Sequence, residues 1–276
     1  MTPADELIKK ITRWAKDQED IRALILMGSY ARKGSVDQLS DIDLQFFSTN
    51  IQTYLIDRNW FEEFGTVWLS HQDQSANACQ VIYEDGLMVE FYFAHPSTIQ
   101  AMQEQLPSHY ETGYKILIDK DRLTRGLPKA SGKQLAPQPP SQQDFEYAVE
   151  AFWWDAFQYV KYLWRDELWR CKHYDWQLKQ HLLEMMGWHA LLCRRQVGFT
   201  TYQGSHLKEW TDPEVYIGLM SAFGRFYPAD SWRALDDTVK TYVNLSEQVA
   251  KVLNTAILHQ MKEKFIAWKK ALIEGS

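Results

Sequence analysis

The stretch Leu24-Ile25-Leu26-Met27-Gly28-Ser29-Tyr30-Ala31-Arg32, followed by Ser40-Asp41-Ile42-Asp43-Leu44, decides the fold. An apolar run ends at Gly-Ser, a polar connection follows, and two aspartates stand at the head of a second apolar run. Residues i and i+2 of a strand point to one face, so the spacing predicts that Asp41 and Asp43 present two carboxylates side by side. Like charges that close are costly unless a cation neutralises them, and oxygen donors favour Mg²⁺ over a soft metal. Gly28 allows close backbone approach, and Ser29 adds a hydroxyl beside free backbone N–H groups, which together make a small anion cradle. Cradle and carboxylates point to a nucleoside triphosphate held through its phosphates.

Outward from this stretch, Thr2, Pro3 and Asp5 are a helix start, and Leu7, Ile8, Ile11 and Trp14 recur at helical spacing to about Lys16. Strands are predicted over 21–27, 41–47, 67–71, 79–83, 87–93 and 114–118. Short helices are predicted over 30–33, 57–64 (ended by Gly65) and from Pro96 to about Gln105. Asp85-Gly86 is a hairpin signal. Glu90 is the one charge in Leu87-Met88-Val89-Glu90-Phe91-Tyr92-Phe93. A lone acid in an apolar strand is either turned outward to solvent at an edge or buried with a partner. If its strand lies beside Asp41 and Asp43, three carboxylates converge, enough for two Mg²⁺ ions.

Pro128, Pro137, Pro139 and Pro140, among Gly, Ser and Gln, mark a linker. Beyond it no strand signal remains. Long helices are predicted from Asp144 to about Arg170 and from Asp175 to about Gln196. Further helices start at Asp212-Pro213-Glu214 and Asp230-Ser231, the last running from Trp232 to Ile273 with one break. The reading is an α/β N-terminal domain over 1–130, a linker over 131–143 and an all-α domain over 144–276. No internal repeat is present.

The 276 residues carry a net charge of -6, which disfavours a nucleic-acid partner. Cys79, Cys171 and Cys193 show no metal or disulfide spacing and fit a reducing cytoplasm. The N-terminus has no apolar signal region, and no stretch of ~18 uninterrupted apolar residues predicts a membrane span.

The pattern Gly28-Ser29, Asp41-x-Asp43 and Glu90 resembles the polymerase-β-type nucleotidyltransferase superfamily. Phe152-Trp153-Trp154, Val160-Lys161 and Leu163-Trp164-Arg165-Asp166-Glu167 are similar to the helical domain of aminoglycoside 6-adenylyltransferases (streptomycin adenylyltransferases). So are His206-Leu207-Lys208-Glu209-Trp210, Pro213-Glu214 and Tyr216. The chain departs from that family where Tyr30 replaces the Arg of Gly-Ser-Arg, where Ser40 and Ile42 replace the Gln and Tyr of Gln-Asp-Tyr-Asp, and where Glu90 replaces an Asp.

The resemblance implies a nucleotidyltransferase domain with a mixed sheet and a helical domain that closes on nucleotide and substrate. It implies Mg²⁺-dependent transfer of a nucleoside monophosphate, AMP from ATP, to a hydroxyl of a cationic aminoglycoside such as streptomycin, with pyrophosphate released. Asp41, Asp43 and Glu90 are then the catalytic and metal-binding set, Glu90 as ligand, base or both. Gly28 and Ser29 hold phosphates, and Lys161, Arg165 and Lys208 are nucleotide-binding candidates. Glu150, Trp154 and Asp155 are candidates for the acceptor, because acids and aromatic faces suit a polycationic sugar. A lincosamide or a partner protein is the alternative acceptor. The expected protein is a cytoplasmic monomer or homodimer with no membrane association. The aromatics Phe152, Trp153, Trp154, Trp164, Trp169, Trp176 and Trp188 are expected mainly in the core. His173, His181 and His189, at a spacing of eight, read as surface or packing residues.

Overall fold

The computed structural model describes residues 2–32, 36–133, 137–255 and 259–275. The chain divides into two compact units, Met1–Gln134 and Leu135–Ser276.

The first unit is built on a six-stranded mixed sheet. Its strands are β1 (Ile21–Met27), β2 (Ile42–Ser48), β3 (Val67–Asp73), β4 (Ala78–Tyr83), β5 (Met88–Ala94) and β6 (Lys115–Asp119). The spatial order is β3-β4-β5-β2-β1-β6. All neighbours run antiparallel except β2 and β5, which are parallel. A parallel pair needs a crossover. Here it contains β3, β4 and a short helix at Ile51–Ile56, numbered α3 below.

Helix α1 (Pro3–Asp17) opens with a capping box in which Thr2 and Asp5 satisfy each other's backbone N–H groups. Its Leu7, Ile11 and Ala15 join Leu24, Leu26, Leu44, Phe46, Phe91 and Phe93 on one sheet face. Trp60 closes that layer, ringed by Trp14, Tyr54 and Phe91 at centroid distances of 5.4, 5.7 and 4.8 Å. Residues Ala23, Ile25, Met27 and Phe47 point the other way and pack with Ile99, Met102, Leu106 and Tyr110. Helix α2 (Gly28–Ala31) follows β1 directly, α3 follows β2, and α4 (Thr98–Glu104) follows β5.

Every regular element among the described residues of the second unit is a helix: α5 (Gln142–Trp164), α6 (Leu168–Leu192), α7 (Leu207–Trp210), α8 (Pro213–Ala222), α9 (Pro228–Leu253) and α10 (His259–Glu274). Its core is aromatic. Phe152 of α5 stacks on Tyr242 of α9 at 3.6 Å. The Tyr159 and Tyr242 hydroxyls donate to the Ser231 and Ala148 carbonyls at 2.9 and 3.2 Å, tying α5 to α9. A buried ion pair adds a polar tie: Lys179 Nζ meets Asp175 Oδ1 at 2.6 Å and Thr238 Oγ1 at 3.0 Å.

The helix boundaries differ from the sequence expectations at several points. The predicted helix over 57–64 is only a 3₁₀ turn at Trp60–Phe64, and α3, which the sequence did not announce, ends just before it at Ile56; the Asp57 carboxylate captures the Asn59 N–H at 2.9 Å and breaks the chain direction between them. The first long helix ends at Trp164 rather than Arg170. Asp166 takes φ 57°, and the Glu167 N–H turns back to the Tyr162 carbonyl at 2.9 Å, closing the helix end. Helix α5 starts at Gln142, because Ser141 and Asp144 form a second capping box, so the expected linker loses its last two residues. Asp230 lies inside the first turn of α9, where it accepts the Arg225 N–H at 2.7 Å; the residue before the helix is Tyr227. The last helical stretch breaks at Asn254, which is left-handed. Helix α2 begins two residues before the predicted Tyr30, and the predicted end at Lys33 lies outside the described residues.

Candidate active site

Asp43 and Glu90 are paired by register. In the parallel ladder Asp43 of β2 sits beside Glu90 of β5, and in the antiparallel hairpin Glu90 sits beside Gln80 of β4. The three residues form one transverse row on one face of three adjacent strands. The row continues to Met27, partner of Asp43 on β1. Gly28 is the next residue, so the turn after β1 is delivered against the Asp43 carboxylate.

That contact depends on glycine. Gly28 has φ +61°, and a Cβ there would lie 1.8 Å from Asp43 Oδ2. Both the backbone conformation and the space exclude a side chain. Ser29 Oγ lies 3.5 Å from the Asp41 carbonyl, bridging the two halves of the motif. Arg32 Nε donates to the Gly28 carbonyl at 3.2 Å, and Lys115 Nζ donates to the Tyr30 carbonyl at 2.8 Å. Two cations therefore brace the turn from behind.

The electrostatics are those of crowded acids. Burial, the Glu90 and Asp41 charges and a hydrogen bond to Glu90 push Asp43 up to about 7, against a smaller opposing pull from Arg32. Burial first, then the Glu90 charge, raises Asp41. Glu90 itself is clamped. Gln80 Nε2 donates to Oε1 at 2.6 Å, and the Tyr92 hydroxyl donates to Oε2.

Asp41 stands apart from the pair. It precedes β2 by one residue, is exposed and has no strand partner, so the expected alternation of Asp41 and Asp43 on one strand stops short of it. Among the described residues, no three His, Cys, Asp or Glu side chains form a ready-made ligand set. The structure thus brings Asp43 and Glu90 into direct contact and leaves Asp41 at their margin, within electrostatic reach.

The remaining predicted residues lie in the second unit. Lys161 is half-buried on α5, its Nζ 5.3 Å from the centre of the Tyr162 ring. Arg165 is the exposed residue that ends α5, and Lys208 is exposed on α7. Glu150 is exposed, and Trp154 is 67 % exposed on the same helix. Asp155 is different: its Oδ2 lies 2.9 Å from His181 Nε2 of α6, so it is engaged within the helical unit. His189 is buried against Gln248 at 3.1 Å, a packing role as expected. The aromatic expectation holds for Phe152, Trp153 and Trp188. It fails for Trp154, Trp164, Trp169 and Trp176, which are exposed. Helical spacing shows which residues share a stripe, not whether a neighbouring element covers it.

Sequence reading missed Arg32, Gln80 and Tyr92. Counting back from Asp85-Gly86 finds Gln80 opposite Glu90, because the three-residue loop 84–86, with Gly86 at φ +82°, sets the register. Alternation along β5 then puts Tyr92 on the face of Glu90.

The family model for streptomycin adenylyltransferase matches residues 1–272. The chain belongs to the streptomycin adenylyltransferase family. As a member of it, the protein is a nucleotidyltransferase, and the Asp43–Glu90 row is its candidate active centre. Among its relatives, an aminoglycoside 6-adenylyltransferase of Campylobacter jejuni is 24% identical over 260 residues, covering 91% of this chain and 89% of that protein. One of Bacillus subtilis (strain 168) is 21% identical over 268 residues, covering 92% of each. The crystal structure of an aminoglycoside 6-adenyltransferase from Bacillus subtilis aligns over 99% of both chains, with 16% identity and a TM-score of 0.45. Among the described residues of this family member, no helix is long and apolar enough to cross a membrane.

Proposed function

We propose that this protein transfers AMP from ATP to a hydroxyl of an aminoglycoside, streptomycin or a close analogue, and releases pyrophosphate. The observation that carries the reading is the Asp43–Glu90 pair set in register against a glycine-only turn. Membership of the family supports the reaction class, and the two relatives named as acting at position 6 of an aminoglycoside support that position for the acceptor.

The reaction is an in-line displacement. The acceptor oxygen forms a bond to the α-phosphorus, the bond from that phosphorus to the β-phosphate oxygen breaks, and pyrophosphate leaves with the electron pair. The hydroxyl proton passes to Glu90. The Gly28-Ser29 turn, braced by Arg32, holds the β- and γ-phosphates through backbone N–H groups and the Ser29 hydroxyl. Asp43 and Glu90 offer only oxygen donors, and their crowded charges suit a hard cation, which they would hold together with Asp41. Bound Mg²⁺, two ions in this reading, supplies the charge that lowers the acceptor oxygen's pKa and offsets the charge on the leaving pyrophosphate. Lys161, Arg165 and Lys208 are assigned to the nucleotide. Glu150 and Trp154, both exposed on α5, are assigned to the cationic acceptor. Asp155, being paired to His181, is not. An ATP-consuming reaction fits a cytoplasmic location.

The test is pyrophosphate release with ATP, Mg²⁺ and streptomycin, followed by an aminoglycoside panel. Mass spectrometry should find an acceptor heavier by one adenylyl group. Absence of pyrophosphate across the panel refutes the acceptor, and adenylylation of a lincosamide or of a protein instead replaces it. Full turnover by Asp43→Asn refutes the assignment of the centre.

A further inference from the structure

We infer that Gln80 and Tyr92 are positioning residues for the nucleotidyl-transfer centre, holding the Glu90 carboxylate against Asp43 in the orientation that the reaction uses. The inference rests on the function proposed above.

The geometry is specific. Gln80, Glu90 and Asp43 occupy one row across β4, β5 and β2. Tyr92 is two residues along β5, on the same face. Gln80 Nε2 reaches Oε1 at 2.6 Å, and the Tyr92 hydroxyl reaches Oε2, so each Glu90 oxygen has its own donor. A glutamate side chain has three rotatable bonds, and its carboxylate turns freely when nothing holds it. Repulsion from Asp43 would swing it away. Two donors on opposite oxygens resist that swing and set the carboxylate plane, while each oxygen keeps a lone pair for a further partner. Both donors sit on a sheet, where the backbone ladder fixes their Cβ positions. The centre therefore has a rigid support that the three-acid motif does not contain.

Near-isosteric variants separate positioning from bulk. Tyr92→Phe removes only the hydroxyl. Gln80→Glu keeps the length, removes the donor and adds a like charge, whereas Gln80→Leu removes the donor without adding charge. The expected result is a fall in kcat of about 10–100-fold for Tyr92→Phe and Gln80→Leu, a larger fall for Gln80→Glu, and KM for ATP within about threefold of the parent's. Secondary structure by circular dichroism should be retained. A purely structural role reverses the ranking, because Gln80→Glu preserves shape best.

A second readout does not need turnover: ¹³C relaxation of the Glu90 side chain, assigned with Glu90→Gln. It should report a restrained side chain in the parent protein and a mobile one in Tyr92→Phe. The inference is overturned if either Tyr92→Phe or Gln80→Leu keeps kcat within twofold, if Gln80→Glu is the mildest change, or if Glu90 is as restrained in Tyr92→Phe as in the parent. If the parent protein transfers to no acceptor, the proposed function fails. The relaxation data then still decide whether Gln80 and Tyr92 hold Glu90.

Discussion

Asp43→Asn should abolish turnover and yet make the metal-free protein more stable. Asp43 carries a pKa of about 7, raised from 3.8 by burial and by its acidic neighbours. A raised folded-state value means that the protonated form favours the fold. The contribution is complete below about pH 4, where both states are protonated, and is lost as pH rises through about 7.

At pH 8, in EDTA, the ionised carboxylate then costs about 4 kcal/mol, from roughly three pKa units at about 1.4 kcal/mol each. Partial solvent access reduces this to about 2 kcal/mol. Asparagine keeps the shape against Gly28 and carries no charge. The melting temperature should therefore rise by roughly 5–10 °C if the first unit unfolds cooperatively. At pH 5 the difference should shrink by more than half, because the parent Asp43 is then mostly protonated. Thermal unfolding of both proteins from pH 5 to 8 is the assay. An Asn variant no more stable than its parent at pH 8, or a gain that does not shrink toward pH 5, refutes the crowded-acid account of the centre.

Gly28→Ala places a Cβ on the Asp43 carboxylate in a left-handed conformation, so at least about 1–2 kcal/mol of stability and most activity should be lost. Chemical denaturation should show the double variant Gly28→Ala/Asp43→Ala recovering part of that stability. Asp175→Ala strands the buried Lys179 and should cost about 3–5 kcal/mol; adding Lys179→Met should restore most of it in urea titrations. Arg32→Ala should raise KM for ATP about tenfold, with Arg32→Lys intermediate, because the guanidinium braces the Gly28-Ser29 turn proposed to hold the phosphates. Asp155→Asn should leave KM for the acceptor unchanged and only lower the melting point slightly, since its carboxylate is engaged with His181.

How far each of these features was legible in the sequence depended on the range of the interaction behind it. The strand over Ile21–Met27, the capped start at Thr2 and the hairpin at Asp85-Gly86 follow from neighbours in the chain, and local periodicity and turn chemistry sufficed to read them. The end of α5 was misread by six residues because Arg165-Asp166-Glu167 carries no Gly or Pro to announce it. There a left-handed aspartate does what glycine usually does. The exposure of Trp154, Trp164, Trp169 and Trp176 was misread because a stripe of aromatics looks the same whether or not a neighbour covers it.

The Gly28-Ser29 to Asp41-x-Asp43 stretch, with Glu90, determined by itself the chemistry of the centre: a flexible glycine, a hydroxyl and a set of oxygen donors. Residue types alone specify charge, hardness and hydrogen-bonding capacity. Tertiary structure decided which of those groups meet. Pairing of β2 with β5 across a long crossover put Asp43 beside Glu90, and the position of Asp41 one residue outside the ladder left it at the margin. The β4–β5 hairpin brought in Gln80, and Tyr92 came with the face. A register between strands that lie far apart in the chain is set by the burial of whole apolar faces, and no short motif encodes it.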